Sequence, residues 1–183
     1  PDGLGANMAN ISIRGISSRV FGFDIGFDQG FGVYIDGVYT GRPMAVNADL
    51  GEIERVEVLR GPQGTLFGKN TIAGAINIVS KKPGNELEGN VEVDVGNYDL
   101  TRTRGSINIP IITDELAVRF SVNKAERDGY VTNLFNGDDV ADRDQLSGRM
   151  QLAYTPTGAT RVYLNVDALD FEGNAYFREP VLG

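Results

Sequence analysis

The sequence predicts a mainly β protein in two parts, a compact, glycine-rich first part and a second part of long antiparallel strands. Of the 24 glycines, 14 lie in residues 1 to 83, between short runs with β character. From residue 88 onward, apolar and polar residues alternate in segments that turn-forming residues separate. Charge changes at the same place, because residues 1 to 83 carry eight basic and eight acidic side chains, whereas residues 84 to 183 carry nine basic and 17 acidic ones. We therefore predict a domain boundary between residues 83 and 84.

Five segments of the second part have the alternation that is typical of strands with two different faces. The polar positions of these segments include Arg119, Arg149 and Asp167. We expect each segment to form one strand with an apolar face and a polar face. The apolar positions are Val91, Val93 and Val95; Ile107, Ile109 and Ile111; Leu116, Val118, Phe120 and Val122; Leu146, Met150, Leu152 and Tyr154; and Val162, Leu164, Val166 and Ala168, with Gly148 as the one gap in the fourth segment.

The connections between these segments alternate in length, which predicts an up-and-down meander. Short turns are expected at residues 113 to 115 and 156 to 158, and longer connections at residues 97 to 101 and 128 to 142. Two architectures share this pattern: a soluble sandwich with its apolar face inside, and an outer-membrane barrel with its apolar face towards lipid. Periodicity leaves both open. Aromatic residues near the strand ends fit the aromatic girdles of a barrel better; they are Tyr98, Tyr130, Tyr154 and Phe171.

Composition excludes several classes of function. The chain contains neither cysteine nor histidine, which excludes disulfides and thiolate metal sites and removes the commonest metal ligand and general base. The formal net charge of −8 argues against a nucleic-acid partner, since phosphate binding requires a basic surface. We therefore predict no catalytic residues, no metal site and no cofactor, and we do not expect an enzyme.

One glycine-rich segment, residues 61 to 70, superficially resembles a nucleotide-binding P-loop. That motif requires four residues between its first glycine and a Gly-Lys-Ser/Thr sequence. Here three residues follow Gly64 and six follow Gly61 before Gly68, and Asn70 replaces the hydroxyl residue. The segment is therefore not expected to bind phosphate.

The same segment belongs to a longer motif that carries a resemblance to a known family. Residues 53 to 83 have the sequence IERVEVLRGPQGTLFGKNTIAGAINIVSKKP, which closely resembles the plug signature of TonB-dependent receptors. Upstream, Ile13-Arg14-Gly15 and the sequence VYIDGVY at residues 33 to 39 are similar to two further plug motifs, in the family's order. The resemblance to the plug covers nearly all of residues 4 to 83, and beyond it the resemblance rests on strand pattern and position.

This resemblance implies an architecture for both parts of the chain. Residues 1 to 83 would be an N-terminally incomplete plug domain, a small mixed sheet with short helices. Residues 84 to 183 would be the first five antiparallel strands of a 22-stranded transmembrane β-barrel that encloses the plug. Because an open sheet edge in lipid leaves backbone groups unpaired, we expect about seventeen further strands after residue 183.

The resemblance also implies a function, a location and partners. The protein would be a receptor in the outer membrane of a Gram-negative bacterium that takes up a scarce extracellular ligand, most commonly a ferric siderophore, with cobalamin, other metal chelates and glycans as rarer cargoes. The sequence Leu59-Arg60-Gly61-Pro62 differs from that of the family's glycan importers. The expected partners are the ligand, outer-membrane lipid and TonB, which would bind through a TonB box that is not in this chain. The alternative is a soluble β-sandwich binding module without transport activity.

Two arginines would hold the plug in the barrel. Arg14 and Arg60 match plug arginines that the family pairs with barrel glutamates, through buried, charge-assisted contacts. Those glutamates are not in this chain. The alternative is that each arginine binds backbone carbonyl groups close by.

Ligand contacts in the family come from apical loops of the plug. In this sequence, those loops would follow the Ile-Arg-Gly and Tyr-Ile-Asp-Gly motifs. The candidate ligand-binding residues are therefore Arg19, Phe21, Tyr39 and Arg42. The alternative for each of them is a loop residue that packs on the barrel wall.

Overall fold

The computed structural model describes residues 12–13, 16–17, 30–40, 51–68 and 71–173, and its chain divides into two compact units. Of the described residues, the N-terminal unit contains those between 12 and 40 and between 53 and 81, whereas the C-terminal unit contains residues 51–52 and 82–173. Within these described ranges, no helix has the length and apolar character needed to cross a membrane.

The N-terminal unit is built around a four-stranded mixed sheet. Its strand order is β4-β3-β6-β5, in which β3 and β6 are parallel and the other neighbours are antiparallel. Strands β1 and β2 pair as a separate antiparallel ribbon. The predicted small mixed sheet is thus confirmed, and of the predicted short helices the described residues contain one, α1. Its elements are β1 (Ser12–Ile13), β2 (Ile16–Ser17), β3 (Phe31–Ile35), β4 (Val38–Tyr39), β5 (Ile53–Arg60), α1 (Gly64–Phe67) and β6 (Gly74–Ser80).

The core of this unit lies on the two inner strands. Strand β3 is buried along nearly its whole length because it has a neighbour on each side. The buried cluster consists of Phe31, Val33, Ala73 and Ile76, with Ile78 packed against it. Fully burying a side chain of this kind contributes about 1.5 to 3 kcal/mol, so a few such residues can hold a small sheet together.

The C-terminal unit contains the long strands. Five of them form an antiparallel meander with the order β13-β12-β9-β8-β7, which confirms the five predicted strands and their connectivity. The longest connection contains its own short ribbon, β10 paired with β11. The elements are β7 (Glu88–Val95), β8 (Thr101–Ile112), β9 (Leu116–Arg127), β10 (Val131–Thr132), β11 (Asp139–Val140), β12 (Arg143–Thr157) and β13 (Thr160–Glu172).

One turn differs from the prediction. The turn expected at residues 156 to 158 lies instead at residues 158 and 159, and β12 continues through Pro156 to Thr157. Pairing between β12 and β13 shifts register between Tyr154 and Thr157. Proline has no N–H to donate to a neighbouring strand, and it is tolerated within a sheet at such irregular positions. Proline therefore marks a bulge in this hairpin and not its turn.

The two faces of the five-stranded sheet differ in exposure as well as in chemistry. On β9, Arg119 is 2% exposed and its neighbour Phe120 is 43% exposed. The same alternation continues on β12, where Gln145 and Ser147 are buried and Leu146 is exposed. A soluble sandwich would bury the apolar face and expose the polar one, so this alternative is not supported. Exposed apolar bands and polar interiors are instead the properties of membrane barrels.

Candidate functional site

The polar face of the five-stranded sheet carries a buried arginine held by two carboxylates. Arg119 donates from Nη1 to Glu88 Oε1 at 2.9 Å, and its Nη2 contacts Glu52 Oε2. Glu52 follows Gly51, whose φ of +116° is readily available only to glycine. A Cβ on Gly51 would lie 3.1 Å from Ser121 Oγ, so residues 51 and 52 run close against β9. Two acceptors on one guanidinium offset much of the cost of burying its charge.

Further ion pairs lie on the same face. Arg149 on β12 is buried and forms a two-pronged contact with Asp167, directly opposite on β13, at 2.5 Å from Nε to Oδ1 and 3.1 Å from Nη2 to Oδ2. Arg104 Nη2 contacts Glu92 Oε1 at 3.1 Å and Asp94 Oδ2 at 2.7 Å. Each carboxylate comes from a strand that neighbours its arginine. The predicted placement of Arg119, Arg149 and Asp167 on one polar face is confirmed.

In the N-terminal unit, an aromatic cluster ties the segment around α1 to β3. The Tyr34 ring meets the Phe67 ring edge-on, with 4.7 Å between centroids, and the Tyr34 hydroxyl donates to the Phe67 carbonyl oxygen. Burial, and secondarily the neighbouring Tyr39, raise the pKa of Tyr34 above its usual range, so the phenol stays protonated and able to donate. Tyr39 lies 5.5 Å from Tyr34 between ring centroids and remains 39% exposed.

The Asp-Gly pair of the VYIDGVY sequence forms the turn between β3 and β4. Asp36 and Gly37 have φ angles of +51° and +81°, as a tight hairpin turn of this type requires. The Asp36 carboxylate accepts hydrogen bonds from the Ser80 backbone N–H at 3.0 Å and the Ser80 hydroxyl at 2.6 Å. The Gly37 N–H donates to Asn77 Oδ1 at 3.1 Å. The turn is thereby fixed to the end of β6.

The predicted site residues are only partly described. Arg14, Arg19, Phe21 and Arg42 lie outside the described residues, and their roles stay predictions. Tyr39 lies on β4, in the aromatic cluster with Tyr34 and Phe67.

Arg60 ends β5 and is exposed, and its side chain forms no hydrogen bond with a described residue. Strands β4 and β5 are the opposite edges of the sheet, so the structure does not bring Arg60 and Tyr39 together. The capping alternative for Arg60 gains no support within the described part of the chain.

Sequence reasoning missed the carboxylate partners of Arg119. Glu88 could have been found, because counting by two along β7 and β8 places it opposite Asn108, on the polar face. Glu52 has no such signal, since it lies outside any strand and 67 residues before Arg119 in the chain.

Plug-like motifs followed by strands with a buried polar face and an exposed apolar face are the arrangement expected of a TonB-dependent receptor. A family model described as TonB-dependent Receptor Plug Domain matches residues 1–75. The chain belongs to the TonB-dependent receptor family.

Individual relatives agree with this assignment. The pesticin receptor of Yersinia enterocolitica is 32% identical over 81% of this chain and 22% of its own length. The catecholate siderophore receptor Fiu of Escherichia coli is 30% identical over 76% of this chain and 17% of its own. Among solved structures, the ferric yersiniabactin uptake receptor FyuA of Yersinia pestis has a TM-score of 0.76 and 28% identity, over 88% of this chain and 25% of its own. This chain therefore spans about a fifth of the length of the curated relatives that it matches.

Proposed function

We propose that the complete protein is an outer-membrane receptor that imports a ferric siderophore with energy supplied through TonB. The observation that carries this proposal is the inverted burial of the five-stranded sheet, with Arg119 buried and Phe120 exposed on adjacent positions. The match of residues 1–75 to the plug-domain family supports the same proposal. Relatives named for a catecholate siderophore, for ferric pyoverdine and for ferric yersiniabactin support the ligand class.

The proposed domain organisation keeps the boundary between residues 83 and 84 that the sequence predicts. Residues 1 to 83 would form the plug, and residues 84 to 183 would form the first strands of a 22-stranded barrel whose apolar face meets outer-membrane lipid. Transport would involve no covalent chemistry. The ligand would bind from outside the cell, TonB would then pull on the plug, and the ligand would pass through the barrel.

Specific residues would serve these steps. Arg14 and Arg60 would hold the plug through barrel glutamates, and Arg19, Phe21, Tyr39 and Arg42 would contact the ligand. The exposure of Arg60 supports its proposed role in holding the plug, since the guanidinium is accessible to a partner from outside the described residues. The Tyr39 ring is 39% exposed and packs against the Tyr34 ring, which suits a residue that contacts a ligand.

Uptake of radiolabelled iron tests the proposal. The full-length receptor, expressed in a Gram-negative host that lacks its own siderophore receptors, is expected to accumulate iron from at least one ferric siderophore. This accumulation should disappear when TonB is deleted. Parallel arms with cobalamin and oligosaccharides identify a different cargo, and growth on either of these without any ferric chelate uptake would contradict the siderophore assignment.

A further inference from the structure

Residues 53–81 of the N-terminal unit are preceded and followed in the chain by residues of the C-terminal unit. Residues 51–52 belong to the C-terminal unit, and the chain returns to that unit directly after residue 81. Glu52 lies on the first side and Glu88 on the second, and both carboxylates contact the Arg119 guanidinium. Arg119 is buried in the polar face of the five-stranded sheet. One buried side chain therefore holds the chain both before and after residues 53–81.

The chain that returns to the sheet is fixed by contacts that do not involve Arg119. Asn108 is fully buried on β8 and accepts a hydrogen bond from the Gly84 N–H at 3.0 Å. Its side-chain amide donates to the carbonyl oxygens of Gly84 at 2.8 Å and Glu86 at 2.6 Å. Glu88 is the first residue of β7 and pairs with Asn108 in the sheet. Strand pairing therefore keeps Glu88 in place whether or not its carboxylate contacts the arginine.

The chain before β5 is held differently. Glu52 lies in no strand, so no strand pairing fixes it. The preceding residue, Gly51, runs close to β9, where a Cβ on Gly51 would lie 3.1 Å from Ser121 Oγ. The Glu52 side chain is 28% exposed, so water can solvate its carboxylate when the contact with Arg119 opens. Of the two carboxylates, Glu52 is therefore the one that can leave.

Sharing one guanidinium between two carboxylates lowers the cost of losing one of them. Removing the single partner of a buried charge is strongly destabilising, because the other charge is left unpaired. Here Arg119 keeps Glu88 when Glu52 leaves. The two carboxylates also carry like charges close to the same cation, so each weakens the hold of the other. The arrangement keeps Glu52 bound at rest and allows it to be pulled away without stranding a buried arginine.

We propose that Arg119 is a release latch for the chain before β5, in which the Glu52 contact opens and the Glu88 contact stays closed. This inference rests on the proposed function, which supplies the pulling force through TonB. When the pull reaches residue 52, Glu88 keeps the guanidinium paired and in position. The same guanidinium then takes Glu52 back when the pull ends. The latch differs from the lock proposed for Arg14 and Arg60, because its arginine lies on the sheet and its carboxylate on the segment that moves.

The test applies a constant force to an N-terminal tag on the full-length receptor in a lipid bilayer. The measured quantity is the rate of the event that frees the chain up to residue 52, identified by the length released, at most about 3.6 Å per residue. Glu52→Gln should speed this event roughly tenfold, the effect of losing one hydrogen bond between charged groups. Glu88→Gln should slow it by up to about fivefold, because the competing charge beside Glu52 is removed. The opposite signs are the signature of a latch, since two carboxylates that merely stabilise the fold would both speed release.

Two controls isolate the Arg119 cluster. Arg104 also contacts two carboxylates, Glu92 at 3.1 Å and Asp94 at 2.7 Å, but both lie on β7. Glu92→Gln is therefore the matched control for Glu88→Gln, and it should change the release rate by less than about twofold. In an Arg119→Gln background, the substitutions of the two latch carboxylates should each lose their effect on the rate.

The outcomes separate the latch from the proposed function. If Glu52→Gln and Glu88→Gln both speed release, or if neither changes its rate, the latch is wrong, and import of a ferric chelate by the wild-type receptor still stands on its own measurement. If the wild-type receptor imports no ferric chelate, the proposed function fails. The release rates then still decide the latch, because they require an applied force and no transport.

Discussion

At the scale of single residues, glycine and paired polar side chains fix the N-terminal unit. A Cβ on Gly74 would lie 2.2 Å from the Leu59 carbonyl oxygen, and the φ of Gly74 is +148°. Only glycine therefore allows β5 and β6 to start their pairing at Arg60 and Gly74. Along the same two strands, Glu57 accepts hydrogen bonds from Asn77 Nδ2 at 2.9 Å and from Arg55 Nε at 2.8 Å.

The Glu57 contacts predict a pH dependence. The hydrogen bond from Asn77, followed by that from Arg55, lowers the pKa of Glu57 below its usual value. A carboxylate with a lowered pKa stabilises the fold above its ordinary pKa, and this contribution disappears as the pH falls through the lowered value. Glu57→Gln should therefore lower plug stability slightly at neutral pH and have no effect at low pH. Urea unfolding of the full receptor, followed with a spin label on the exposed Leu66, measures the difference; a difference that grows on acidification would contradict this account.

At the scale of elements, the strands of the C-terminal unit differ in what each face can tolerate. Leu164 pairs with Leu152, which pairs with Val118, in a row of apolar side chains on the exposed face of the sheet. Asn165 pairs with Gln151, which pairs with Arg119, in the adjacent polar row. The two rows are neighbours in sequence and opposite in chemistry.

This difference predicts unequal effects of the same substitution. Leu164→Arg should destabilise the reconstituted full receptor by up to about 2 to 4 kcal/mol, the cost of an arginine on the lipid face at the bilayer midplane. Asn165→Arg should cost much less because that side chain shares its row with polar groups. Equilibrium unfolding in lipid vesicles gives both values, and equal costs would mean that Leu164 does not face hydrocarbon.

The extent to which these elements could be predicted depends on the range of the interactions that form them. Strand alternation is local, so the five strands and the facing of Arg119 and Arg149 followed from sequence. Periodicity is the same whichever face is buried, so the choice between sandwich and barrel required the burial of Arg119 and the exposure of Phe120 in the folded structure. The contact from Glu52 to Arg119 joins residues 67 positions apart in the chain, and no local pattern indicates it.

At the scale of the whole molecule, Arg60 is the described residue on which the proposed lock depends, and its side chain is exposed. In the complete receptor, its guanidinium would pair with a barrel glutamate. Removing one member of a buried ion pair typically costs about 3 to 5 kcal/mol because the other charge is left unpaired.

Arg60→Ala should therefore loosen the plug and raise the passive entry of large antibiotics. Arg55→Ala is the matched control on the same strand, because Arg55 pairs locally with Glu54 and Glu57 at 2.6 Å and 2.8 Å and is solvent exposed. Antibiotic sensitivity of cells with equal receptor levels measures both variants. Equal sensitivity in the two strains would remove Arg60 from the lock.

The apolar face of the five-stranded sheet is proposed to meet lipid, and two adjacent positions on the central strand β9 test this placement most directly. This chain has no cysteine, so single spin labels can be placed at Val122, which is exposed, and Asn123, which is buried. In the full-length receptor reconstituted in bilayers, with any other cysteines removed, oxygen should reach the label at 122 and a water-soluble relaxation reagent should not, because oxygen partitions into hydrocarbon. The label at 123 should be immobilised and poorly reached by oxygen. A label at 122 that is reached by the water-soluble reagent and not by oxygen would contradict the lipid-facing assignment, and with it the membrane-receptor account.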